Sequence, residues 1–273
     1  MNPILATAGA EFRIALRNRW VTIAVVMMAL FALVLSAAGS APTGVLGADK
    51  LSVTVASLTS LAVYLVPLVA LLMSFDAIAG EVERGTLPLV LTYPVSRGQL
   101  LAGKFIAHLG ILALAVAVGY ALAAAAAMAF DARAVAGLPA LLRLYWTSLL
   151  LGATFLGIGY AISAFARHPG AAAGLVIGLW LVLIVLYDLG LLAAVVADDG
   201  GSFSTVVFPW LLLANPADAF RLYNLAASQA TAAASGVGGA AATIPPMQAL
   251  VVSLLWPVVT FSLALFAFRK VTP

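Results

Sequence analysis

The chain has no cysteine, only two histidines, and charge on just 8% of its 273 residues. Without cysteine there is neither a disulfide framework nor a thiolate nucleophile. His108 and His168 stand 60 positions apart with no carboxylate cluster beside either in sequence, so metal or triad chemistry has no visible residues. The soft ligands left for Cu(I) are Met27, Met28, Met73, Met128 and Met247, scattered over several apolar segments, where methionine is a packing residue far more often than a ligand.

What replaces charge is apolar length: 64% of the residues are hydrophobic, beyond what a soluble core requires. A spanning helix needs about 20 mostly apolar residues, and six windows meet that length. They are 20–48, 51–75, 105–130, 144–166, 170–197 (broken by Asp188) and about 247–268. Backbone amides in lipid must be paired within the segment, so these windows predict an all-α membrane protein of six helices in one domain, 1–273.

Orientation follows from the basic residues. With the N-terminus inside, Arg13, Arg17, Arg19, Arg84, Arg97, Lys104, Arg167, Arg269 and Lys270 are cytoplasmic, against Lys50, Arg133, Arg143 and Arg221 outside. Both termini are then cytoplasmic and 198–246 is a periplasmic loop. The net charge of +3 reflects topology and gives no sign of nucleic-acid binding. The start of the chain also has the outline of a signal peptide, with "SAAGSA" after an apolar stretch. Its basic region is long and includes Glu11, so it reads as an uncleaved first span.

Ahead of that span, residues 1–19 predict an amphipathic interfacial helix. Glu11, Phe12, Arg13 and Arg17 distribute apolar and charged faces, and Trp20 stands at interface depth.

Five of the 23 charged residues crowd into 80–104, "GEVERGTLPLVLTYPVSRGQLLAGK". Gly98, Gly103 and Lys104 match the G-x-x-x-x-G-K spacing of a phosphate loop, but Phe105 replaces the Ser or Thr that binds magnesium. Lys104 also opens an apolar span, leaving no room for an ATPase domain. The bland reading of the connector is a loop satisfying its own charges, Glu83 against Arg84 or Arg97. The functional reading is a short surface helix between breaks at Pro88 and Pro94, gripped by another protein, with Ser96 as the N-cap of the helix that follows.

The run 76–104 resembles the connector between the second and third helices of ABC type 2 exporter permeases, "EFRIALRNRW" resembles their elbow helix, and "NPADAFRLY" at 215–223 is similar to their segment before the last span. Within that family the chain is most similar to the branch serving maturation of nitrous-oxide reductase in denitrifying bacteria, on "MNPIL", "LTYPVSRGQLL" and "GKF".

That resemblance implies a permease of the bacterial inner membrane, without its own ATPase. Glu81, Glu83, Arg84, Gly85, Thr86, Pro94, Arg97 and Lys104 would form the coupling region for separate cytoplasmic ABC ATPase subunits, which carry the ATP and magnesium. A NosD-like periplasmic maturation protein, a second copy of the chain, and an indirect link to a copper chaperone and the reductase are also implied. The cargo is copper, a sulfur species, or none if the chain only transmits force. A general exporter of another small molecule is the alternative, and a secondary transporter a third, which would show several intramembrane carboxylates.

Three further features stand apart from the connector. Asp188, near the outer end of the fifth window, faces a cavity or pairs with Arg143 or Arg221, or else sits at headgroup level. Gly170, Gly174 and Gly178 recur every four residues, a spacing that suits close helix approach within one subunit or between two. Finally "FSTVVFPWLLLANP" is half a span long and predicts a surface or re-entrant helix, with Phe208, Trp210, Asn215 and Arg221 as a periplasmic docking face.

Overall fold

In the computed structural model, the residues described are 3–16, 26–27, 29–31, 33–34, 50–166, 168–226 and 244–272. Among them there are helices and no strands. The first expected span, 20–48, falls largely outside this set, as do Arg17 and Trp20.

Among the described residues, five helical segments are long and apolar enough to cross a membrane: Lys50–Glu83, Arg97–Phe130, Arg133–Phe165, Pro169–Asp198 and Pro246–Arg269. We label the helices α1 (Pro3–Leu16), α2 (Lys50–Ser74), α3 (Ala79–Glu83), α4 (Leu87–Val90), α5 (Arg97–Phe130), α6 (Leu138–Phe165), α7 (Pro169–Trp180), α8 (Tyr187–Asp198), α9 (Phe208–Ala214), α10 (Pro216–Ala226) and α11 (Pro246–Arg269). A π-helical stretch, Leu181–Leu186, makes α7 and α8 one continuous rod.

The core forms around α6, which packs against α2, α5 and α11. Sequence explains how backbones come so close. A Cβ on Gly152 would run into Leu112, one on Gly159 into Ser74, and one on Gly157 would lie 2.5 Å from Thr260 Oγ1 and 2.9 Å from the Phe261 amide nitrogen. Small residues of this kind allow the dispersion contact that drives helix association where no water is expelled. Gly170, Gly174 and Gly178 have no atom of the described residues within 4 Å of such a Cβ, so they make no close contact among those residues. All three are exposed.

Helices α5 and α6 start earlier than the charge-free windows suggested, α5 at Arg97 rather than near Phe105. Ser96 caps α5 as expected: its Oγ accepts from the Gln99 amide at 3.2 Å, and Gln99 Oε1 accepts from the Ser96 amide at 2.9 Å. That reciprocal box satisfies two amides a helix end otherwise leaves open.

Candidate functional site

The connector between α2 and α5 is a folded unit. Ser163 Oγ of α6 accepts from the amides of Ile78 and Ala79, both at 3.0 Å, and so holds the N-terminus of α3 from a different helix. The Asp76–Arg84 ion pair, 3.3 Å, passes over Gly80, where a Cβ would collide with the Asp76 carboxylate. Gly85 has φ +65°, a left-handed turn that glycine adopts without steric cost, and it redirects the chain into α4. Leu87 is fully buried beneath this turn.

The outward side carries Glu83, Arg84, Gly85, Pro88, Leu89, Tyr93 and Pro94, all exposed. Leu89 and Tyr93 are 65% and 68% exposed, a large apolar surface on a segment that is otherwise tightly tied. Neither was singled out from sequence, where the charges drew attention.

Of the other four expected coupling residues, Lys104 is buried and Glu81, Thr86 and Arg97 are half-buried and bonded within the chain. Thr86 is half-buried and bonds back to the Glu81 carbonyl. Arg97 reaches away from the connector: its Nη1 donates to the carbonyls of Phe268, Arg269 and Val271 at 3.0, 3.0 and 2.6 Å. Lys104 is buried, its Nζ donating to Glu11 Oε1 at 2.5 Å and Glu81 Oε1 at 2.6 Å.

Glu11 comes from α1, which crosses α5 where Gly103 removes the obstacle, since a Cβ there would lie 2.6 Å from Thr7 Cβ. Of the phosphate-loop spacing, Gly103 thus serves this helix crossing and Lys104 the ion pairs with Glu11 and Glu81. Phe12 is half-buried beside Gly110, while Arg13 is exposed. The bland pairing of Glu83 with Arg84 or Arg97 is not formed: Glu83 lies 3.6 Å from His168, and Arg84 is on Asp76. One turn beyond Lys104, His108 is buried and stacks on Tyr160, with Nδ1 2.6 Å from the hydroxyl. Both histidines therefore have partners that sequence spacing did not reveal.

At the opposite end of the bundle, Arg221 lies 3.0 Å from Asp188 and 3.2 Å from Asp218, joining α10 to α8. Of the readings open for Asp188, pairing with Arg221 is the one formed. Arg143 instead donates to the Asn224 carbonyl at 3.3 Å. Asp218 Oδ2 is buried with no hydrogen-bond partner among the described residues. Burial, then the neighbouring Asp188 charge, raises the Asp218 carboxyl to about 7, with Arg221 opposing.

Asn215 and Arg221, expected on a docking face, are thus inward groups; Asn215 is buried, donates to the Leu183 carbonyl at 2.7 Å and accepts from the Ala217 amide. Phe208 is half-buried. Trp210 alone of the four is exposed, at the edge of an apolar groove of about 630 Å³ lined also by Leu213, Met247, Val251 and Trp256. Among the described residues no three His, Cys, Asp or Glu side chains converge to hold a metal.

Residues 5–271 match the model of the ABC-2 family transporter protein family. The chain is 45% identical over 273 residues to a probable ABC transporter permease protein NosY of Pseudomonas aeruginosa, covering 98% of each chain. It is 42% identical over 279 residues to a protein of the same description from Stutzerimonas stutzeri, covering 99% of each.

Proposed function

The chain belongs to the ABC-2 transporter family, and from that premise we propose that it is a permease subunit whose connector, Asp76–Ser96, docks a separate cytoplasmic ATPase. The observation that carries the reading is the exposed pair Leu89 and Tyr93 on a segment anchored by Ser163 of α6 and by Lys104 of α5. A stable interface needs apolar anchors at its centre and a polar rim. Leu89 and Tyr93 supply the first, Glu83 and Arg84 the second. ATP and magnesium belong to that partner.

The excess of basic residues at this end supports a cytoplasmic connector, with the α8–α10 end facing the periplasm. By likeness to the NosY relatives, the subunit serves maturation of the copper sites of nitrous-oxide reductase. It passes ATP-driven motion to a periplasmic NosD-like partner or exports a sulfur-containing species. Copper is handled by the partners, since a Cu(I) relay wants thiolate, thioether or imidazole ligands close enough to exchange the ion. A two-site ATPase needs two docking surfaces, so the working unit contains two copies of the chain, with the exposed Gly170, Gly174 and Gly178 of α7 a candidate contact.

The test is affinity purification of the tagged chain from membranes with identification of co-eluting subunits. An ATP-hydrolysing protein together with a periplasmic protein is the expected result. An ATPase alone favours a general exporter, and absence of any ATPase overturns the proposal.

A further inference from the structure

Lys104 is buried at a junction where three elements distant in sequence meet: α1 through Glu11, the connector through Glu81, and α5 through its own backbone. Its position cannot serve docking, because its side chain is only 5% exposed. Nor is an ionic triad an economical way to stabilise a fold, since desolvating three charges offsets their attraction and apolar replacements of similar volume often do as well. Its distinctive property is directional: one ammonium group fixes the position of two carboxylates on separate elements at once. A displacement of α3 that carries Glu81 must either take Lys104 and Glu11 with it or break a buried ion pair.

Two further contacts make the connector the input of this junction. Ser163 ties the start of α3 to α6, and the Thr86 amide bonds the Glu81 carbonyl at 2.9 Å, which joins the exposed α4 segment to the residue that holds Lys104. On the output side, α1 lies directly on α5 at Gly103, too close for independent sliding.

We propose that Lys104 is a positioning residue that transmits motion of the docked connector to the N-terminal helix α1, through the Glu81–Lys104–Glu11 triad. The inference rests on the docking reading above and adds the route by which the stroke enters the membrane part. It assigns α1 to the moving machinery, in addition to any contact it makes with a membrane surface.

Coupling has to be measured rather than read from proximity. The single variant Lys104→Met leaves two buried carboxylates facing each other and invites misfolding. The informative variant is therefore Glu11→Gln/Lys104→Met/Glu81→Gln, which removes all three charges and keeps the volume. Because the chain has no cysteine, Ile14→Cys on α1 and Leu142→Cys on α6, both exposed positions, take spin labels selectively.

In the assembled complex with its ATPase, the distance distribution between the labels is recorded with ATP under turnover and without nucleotide. The expected result is an ATP-dependent shift in populations in the otherwise unmodified chain, reduced by roughly 2- to 30-fold in the triple variant, with ATPase binding retained. An equal shift in the triple variant, or no shift before the triad is altered, overturns the proposal. Loss of ATPase binding by the triple variant also overturns it, by assigning the triad to docking. Failure of the unaltered chain to bind any ATPase is a separate outcome, and overturns the functional reading with it.

Discussion

Arg97 and Phe268 lie 171 positions apart, yet Arg97 Nη1 donates to the Phe268 carbonyl at 3.0 Å and to two more carbonyls in the next three residues. The first residue of α5 thereby adds a charged donor to the end of α11, where helices leave carbonyls short of partners and the Phe268 carbonyl otherwise accepts from the Val271 amide at 3.2 Å. Hydrogen bonds from a charged donor contribute about 1.5–3 kcal/mol when buried, and less where water competes. Arg97→Ala is expected to lower stability by about 1 kcal/mol and to speed tryptic cleavage at Arg269 and Lys270, with ATPase binding little changed. Unaltered cleavage and thermal midpoint in detergent would remove the capping role.

The two glycine sets make opposite predictions. Gly157→Leu drives side-chain atoms into the Thr260 side chain and the Phe261 amide nitrogen and should separate α6 from α11, costing about 1–3 kcal/mol or more. Gly174→Leu places its Cβ within 4 Å of nothing among the described residues. Its thermal stability as a single chain should stay within about 0.5 kcal/mol of the unaltered protein, while any loss of dimer mass would place α7 between two copies. Equal destabilisation by both substitutions would contradict this packing.

Asp218 predicts a pH dependence with a definite sign. Its carboxyl keeps a proton to about 7 when folded, whereas an unfolded aspartate releases it near 3.9, roughly. Between those values the unfolded chain binds fewer protons, so this group's contribution to stability declines as pH rises from about 4 to about 7, and is flat above. Asp218→Asn should flatten that slope in thermal melts of the purified protein. The same slope in both proteins would show that other groups set it.

Much of the fold was legible because lipid imposes a simple rule. An uncharged run of spanning length has to be helical, and Ser96 followed by Gln99 marks a helix start whatever the tertiary context. The site was legible only at the level of the segment. Charge density pointed to 80–104, but Glu81 is held by Lys104, Lys104 also by Glu11 93 positions away, and Arg97 by the end of α11, up to 174 positions away. Regular spacing singled out Gly170, Gly174 and Gly178, whereas the tight crossings fall at Gly103, Gly152, Gly157 and Gly159. Periodicity reports that small residues share a helix face, without reporting what that face meets. Leu89 and Tyr93 escaped notice for the complementary reason: apolar residues in an apolar chain carry no contrast until the fold shows them uncovered.

Those two residues bear on the central claim, that the exposed side of the connector grips an ATP-hydrolysing partner while its buried charges hold the connector in place. Interface anchors of this kind cost about 2 kcal/mol or more on truncation, near thirtyfold in affinity. The direct measurement is the dissociation constant between the purified permease in nanodiscs and its ATPase, for the unaltered chain and for Leu89→Ala/Tyr93→Ala. The account predicts a loss of thirtyfold or more, roughly, with an unchanged melting temperature because neither side chain is packed. Unchanged affinity in that variant would contradict it.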